Sequence, residues 1–187
     1  EIVPVGKHVR GAGEDVRAGA VVLEAGVRLG ARELAAASAA GTGMLVCVRQ
    51  PWIGVVTTGD ELIAPGEPLG RGQIYESNGV AVGTLLEHLG AVVVRTGLVR
   101  DRAERLTDWL DEAAAESDLV VLTGGASVGA YDVVRDVITA AGGVFRHVRI
   151  QPGKPQGWGV WDGTPVVCLP GNPVSAVVSA EIFIRPL

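Results

Sequence analysis

Leu119-Val120-Val121-Leu122-Thr123-Gly124-Gly125-Ala126-Ser127-Val128-Gly129 passes from four consecutive apolar residues directly into a glycine-rich loop. A short apolar run without alternation reads as a strand buried on both faces, as in a parallel sheet covered by helices. Two further stretches share the pattern. Ile53 to Val56 leads into Thr57-Thr58-Gly59-Asp60-Glu61-Leu62, and Pro165 to Cys168 leads into Leu169-Pro170-Gly171-Asn172-Pro173. In an open parallel sheet such loops emerge together at the carboxyl ends of the strands, where ligands bind. Glycine there lets the backbone approach a ligand, and the helix start that follows offers unpaired N–H groups. Three such loops in one short chain predict a site for a phosphorylated or otherwise polyanionic small molecule.

Outward from these loops, strands and helices alternate over the whole of Trp52–Leu187. The pattern predicts a helix from about Ser77 to Leu89 stopped by Gly90, then a strand over Ala91–Leu98. A helix over Arg102–Glu116 follows, with Leu106, Trp109, Leu110 and Ala113 at helical spacing. Helix Tyr131–Ala141, strand Val144–Ile150, short strands Gly159–Trp161 and Pro165–Leu169, and a last helix from Pro173 complete the series. Repeated β–α–β units imply an α/β domain over residues 49–187 with a mostly parallel sheet and right-handed crossovers. Residues 1–48 read differently. Glycines punctuate short apolar pieces such as Val21-Val22-Leu23, and one alanine-rich stretch, Arg32 to Ala40, reads as a helix. This region is expected to be part of a small β-rich domain, with Arg49-Gln50-Pro51 as the linker.

Composition narrows the classes. Of 187 residues 48% are hydrophobic, enough for a packed core, and the net charge of −5 without any Lys or Arg run argues against a nucleic-acid partner. Cys47 and Cys168 both lie in apolar runs and read as core thiols rather than a disulfide or metal pair. No signal-peptide pattern and no bilayer-length apolar run are seen, so the expectation is a cytoplasmic protein without a membrane partner. The chain starts without a methionine and stops in Phe183-Ile184-Arg185-Pro186-Leu187, which predicts a piece of something longer.

Several residues on these loops carry candidate chemistry. Ser127 and the amides around Gly124, Gly125 and Gly129 can form an anion-binding nest, or simply a tight turn. The loop lacks the glycine spacing of both the Walker and the dinucleotide fingerprints. Asp101 and Asp132 each precede a helix at the same end of the sheet. Each is a good N-cap, and together they suit Mg²⁺, so spacing alone leaves both readings open. Glu61 is a third carboxylate there or a solvated turn residue. Lys154, in the rigid turn Pro152-Gly153-Lys154-Pro155, is a candidate phosphate contact. Asn172 and the pair Ser77-Asn78 either cap helices or reach a ligand. His8, His88 and His147 show no metal-ligand spacing, and no Ser–His–Asp or Cys–His pair stands out.

Taken in order, five motifs resemble a known family: Thr58-Gly59-Asp60-Glu61-Leu62, Ile74-Tyr75-Glu76-Ser77-Asn78, Thr123 through Asp132, Pro152-Gly153-Lys154-Pro155, and Leu169-Pro170-Gly171-Asn172-Pro173-Val174-Ser175-Ala176. The string resembles molybdopterin molybdenumtransferases and the corresponding domain of gephyrin, over essentially all of Trp52–Leu187. Upstream, Gly13-Glu14-Asp15-Val16-Arg17-Ala18-Gly19 resembles that family's preceding β-rich domain. The resemblance implies a three-layer α/β/α molybdopterin-binding domain. It also implies consumption of adenylylated molybdopterin and molybdate with Mg²⁺, giving molybdenum cofactor and AMP, in a homodimeric full-length protein.

By the same resemblance Glu61, Asp101 and Asp132 form the catalytic acidic cluster, with Asp101 and Asp132 as Mg²⁺ ligands. Thr58, Gly59, Asp60, Ser77, Asn78, Gly124, Gly125, Ser127, Gly129, Lys154, Pro170, Gly171 and Asn172 would bind substrate. Where family members often carry lysines before the Pro-Gly-Lys-Pro turn, this chain has His147 and Gln151. Adenylyl transfer to molybdopterin and a gephyrin-like scaffold without catalysis are the alternatives.

Overall fold

In the computed structural model, which describes residues 2–124 and 132–187, backbone proximity divides the chain into two compact units, Glu1–Val48 and Arg49–Leu187. The first unit holds helix α1 (Ala31–Ala39), whose start is capped by the Glu33 carboxylate accepting from the Gly30 N–H at 2.9 Å. The short strands expected there, Val21-Val22-Leu23 among them, do not form among its described residues. A strand needs a ladder partner and an apolar face to bury, whereas Val3, Val5, Val9, Val21 and Val46 are exposed and Gly6, His8, Gly13, Gly19 and Gly26 turn left-handed. Cys47, expected in a core, is also exposed. Cys168 is buried, and burial pushes its thiol pKa well above the ordinary cysteine range.

The second unit runs β1 (Trp52–Thr58), β2 (Leu62–Ile63), β3 (Ile74–Tyr75), α2 (Asn78–His88), β4 (Val92–Val99), α3 (Ala103–Glu116) and β5 (Leu119–Thr123). It continues as α4 (Val133–Ala140), β6 (Val144–His147), β7 (Pro155–Trp161), β8 (Thr164–Leu169), α5 (Pro173–Ser179) and a π-helical turn over Ala180–Ile184. Six strands form one sheet in the order β4-β1-β5-β8-β7-β6, in which only β7 runs against its neighbours. Register places Thr58 beside Val99, Thr57 beside Thr123, and Thr123 beside Leu169. Three loops therefore leave the sheet at one level. A separate two-strand parallel pair, β2 with β3, sits between β1 and α2 in sequence.

Alternation along the strands makes three layers. Val56, Val120, Leu122, Val166 and Cys168 pack against Leu106, Leu110 and Ala113 of α3 and Val134, Val137 and Ile138 of α4. Their neighbours Ile53, Val55, Val121 and Leu169 point the other way, onto Val82 and Leu86 of α2 and Ala176 of α5. Helices on both faces explain why these strands read as unbroken apolar runs. Each fully buried Leu or Val contributes roughly 1.5–3 kcal/mol. Trp109 lies over the edge strand because Gly97 makes room: a Cβ there would sit 2.3 Å from the indole Nε1.

Two boundaries differ from expectation. The strand expected over Val144–Ile150 stops at His147, because the Val148 N–H turns to the Lys154 carbonyl at 2.7 Å. The next strand starts at Pro155 rather than Gly159; proline is tolerated as the first residue of a strand, where no ladder donor is yet needed. No helix among the described residues is long and apolar enough to cross a membrane.

Candidate functional site

A cavity of about 580 Å³ opens at the carboxyl ends of β1, β5 and β8, within the range of roughly 300–1,000 Å³ that suits small-molecule ligands. Its floor is backbone brought together by glycine. Gly124 has φ +98°, and a Cβ on it would lie 2.4 Å from the Thr58 carbonyl oxygen. Gly171 packs against the Gly124 Cα less tightly, since its own Cβ would lie 3.3 Å away. The Asn78 amide Nδ2 then donates to the Gly171 carbonyl at 2.7 Å, tying the start of α2 to the β8 loop.

The two helix-start aspartates differ. Asp132 is buried and caps α4, its Oδ1 accepting from the Arg135 N–H at 3.0 Å, while the residue also lines the cavity. Asp101 is no cap, since Arg102 occupies that position before α3. Instead it interlocks with Asp60: the Asp60 N–H donates to Asp101 Oδ2 and the Asp101 N–H to Asp60 Oδ1, both at 3.3 Å. Arg100 steadies the loop by donating to the Asp60 carbonyl at 2.9 Å. Asp101 keeps an open edge to solvent, yet partial burial pushes its carboxyl above the ordinary aspartate range. The N–H of Asp60 opposes that rise, and the charges of Asp60 and Glu61 reinforce it.

Asn172 caps α5, accepting from the Ser175 N–H at 3.2 Å. Ser77 precedes α2 without a side-chain cap bond. That role falls to Glu76, whose Oε1 accepts from the Gly79 N–H at 2.6 Å and from Thr57 Oγ1 at 3.1 Å. Thr123 Oγ1 donates in turn to Thr57 Oγ1 at 3.2 Å.

Of the residues singled out in the sequence, Thr58, Gly59, Glu61, Ser77, Asn78, Asp101, Gly124, Asp132, Pro170, Gly171 and Asn172 line this one cavity. Asp60 is exposed and not on the wall, bonded to Asp101. Lys154 is exposed and off the wall, although its neighbours Gly153 and Pro155 are on it. Gly125, Ser127 and Gly129 lie outside the described residues. Sequence reasoning did not single out Thr57, Glu76 and Ser175, which are on the wall. The available signal for Glu76 was its place three residues before a helical N–H, the spacing of a capping carboxylate.

The electrostatics of the wall are one-sided. Glu61, Glu76, Asp101 and Asp132 are on it, and no Lys, Arg or His is, among the described residues. No three His, Cys, Asp or Glu side chains converge as a metal site among the described residues.

Comparison with known proteins bears on this architecture. The family model described as a probable molybdopterin binding domain matches residues 54–187. Molybdopterin molybdenumtransferase 2 of Mycobacterium tuberculosis is 45% identical over 97% of this chain and 46% of its own length. The molybdopterin molybdenumtransferase of Haemophilus influenzae is 39% identical over 100% and 46%. A structure of the molybdopterin biosynthesis MoeA protein from Pyrococcus horikoshii superposes with a TM-score of 0.81 at 36% identity, covering 94% of this chain and 44% of that one. The chain thus spans about half the length of the curated relatives it matches. Its glycine-floored cavity at the strand ends lies within the matched span, and the chain belongs to the molybdopterin-binding domain family.

Proposed function

We propose that this chain is the substrate-binding core of an enzyme that inserts molybdate into adenylylated molybdopterin and releases AMP. The observation that carries the reading is the cavity itself: a ligand-sized recess at the strand ends whose described charged groups are all carboxylates. A phosphorylated substrate enters such a recess only if a cation accompanies it. Mg²⁺ takes one or two protein carboxylates and fills its shell with water and ligand oxygens, so Asp101 and Asp132 suffice without a third acid. The Asp101 carboxyl, raised by partial burial and by the charges of Asp60 and Glu61, is a group that a cation would relieve. Bound there, the ion would neutralise charge developing on the departing phosphate.

The chain's own residues do the rest. The glycine floor lets backbone approach the substrate, and Asp60 fixes the orientation of Asp101. Glu61, exposed in the loop after β1, would take the proton of the attacking water or molybdate oxygen. The motif resemblance, in addition, implies a homodimeric full-length protein.

Asp101→Asn and Asp132→Asn are expected to abolish molybdate-dependent AMP release by the intact protein. Stability should change by only a few tenths of a kcal/mol, because Asn caps α4 about as well as Asp at 132 and at 101 its amide oxygen can still accept from the Asp60 N–H; Asp132→Ala should cost ~1 kcal/mol. Undiminished AMP release in both Asn variants would overturn the assignment.

A further inference from the structure

Of the four carboxylates on the cavity wall, Glu76 is the one to which that reading gives no role. Its orientation is unusually well determined. Oε1 accepts from both the Gly79 N–H and Thr57 Oγ1, and Thr57 is itself held by Thr123 from the adjacent strand. A helix cap requires only the first of these bonds. The two buried hydroxyls from β1 and β5 fix the carboxylate in addition, and that leaves Oε2 as its free acceptor among the described residues. Two more unsatisfied groups lie on the same wall. Asn78 Oδ1 and Thr58 Oγ1 are buried without a partner among the described residues, in residues only 6% and 4% exposed. A buried polar atom left unpaired costs about 1–3 kcal/mol, so a ligand that donates to it gains correspondingly.

This corner is therefore rich in acceptors and bears a fixed negative charge. It repels phosphate and favours N–H donors. The pyrimidinone edge of a pterin carries a 2-amino group and a ring N–H side by side, a fork of donors of the kind that pairs well with carboxylates. Resting on the reading given under Proposed function, we infer that Glu76, with Asn78 beside it, is the specificity-determining residue that receives the donor edge of the pterin. The ring lies towards α2 and the phosphorylated end points away from it. Glu76 Oε2 and Asn78 Oδ1 are the acceptors, and Thr57 is a positioning residue acting through Glu76.

The test is calorimetric titration of the intact protein with molybdopterin, with pterin, and with lumazine, in which a carbonyl replaces the 2-amino group. Wild type is expected to bind pterin about ten-fold more tightly than lumazine, the worth of one charge-assisted hydrogen bond. Glu76→Gln should reduce that preference to about three-fold or less. Thr57→Val, which leaves the carboxylate but removes its support, should reduce it partially. A merely structural role for Glu76 would weaken both ligands equally and leave the ratio intact, and that result would overturn the inference. So would equal affinity of wild type for the two ligands. If molybdopterin still binds tightly in those cases, the proposed function stands while the assignment of Glu76 falls. If wild type binds neither pterin nor molybdopterin, both fall.

Discussion

Gly124 shows how much a single residue decides here. Its left-handed backbone and the 2.4 Å that would separate a Cβ from the Thr58 carbonyl leave no room for any side chain. Gly124→Ala should therefore destabilise by about 2 kcal/mol or more, combining backbone strain of ~1–2 kcal/mol with overpacking. Chemical denaturation would measure it, and a change below ~0.5 kcal/mol would contradict the close approach of the loops. Residues of this kind were legible in the sequence, because glycine after a buried strand has few other reasons to be there. Asp132 and Asn172 were legible as caps for the same local reason. Glu76 was legible at most as a cap, because nothing in a sequence distinguishes a carboxylate oriented by a buried threonine from one in solvent. Lys154 shows the converse: the rigid turn drew notice, but which way its side chain points depends on how that turn packs.

Among the elements, the apolar runs identified β1, β5 and β8 correctly because each is covered on both faces, and α3 showed its core stripe at helical spacing. The start of β7 was hidden by Pro155, which reads as turn until an antiparallel neighbour is known. The expected strands of the first unit failed because short apolar pieces carry no information about whether a ladder partner exists. At the base of the sheet β1 and β5 are joined by side chains as well as by their ladder. Arg49 donates to both oxygens of Asp118, at 2.7 and 2.6 Å, and the Trp52 N–H donates to Asp118 Oδ2 at 2.7 Å.

The Arg49 hydrogen bonds, with the Trp52 N–H, hold the Asp118 carboxyl below its ordinary range. A carboxyl depressed in the folded state stabilises the fold above its unfolded pKa, near 4, and that contribution is lost as pH falls through the folded value. Thermal melts of wild type and Asp118→Asn should therefore differ at pH 7 and converge as pH drops below about 4. A gap that persists unchanged at acid pH would show that the pair does not carry it.

At the scale of the whole molecule, an acidic chain of net charge −5 carries a recess whose described charges are all negative, and the proposed ligand is itself an anion. The fold makes that recess by bringing three loops to one end of a parallel sheet, and fold and loops were both readable from the alternation of elements. The charge of the recess was not, because it depends on which side chains the loops turn inward. An acidic recess for a polyanion works only with a cation between them, and this coupling is the central claim. It is tested most directly by calorimetric titration of the intact protein with molybdopterin and its adenylylated form, with and without Mg²⁺, in wild type and Asp101→Asn. Tight binding that requires Mg²⁺ and is lost in Asp101→Asn is the predicted result. Binding equally tight without Mg²⁺, or unaffected by Asp101→Asn, would contradict it.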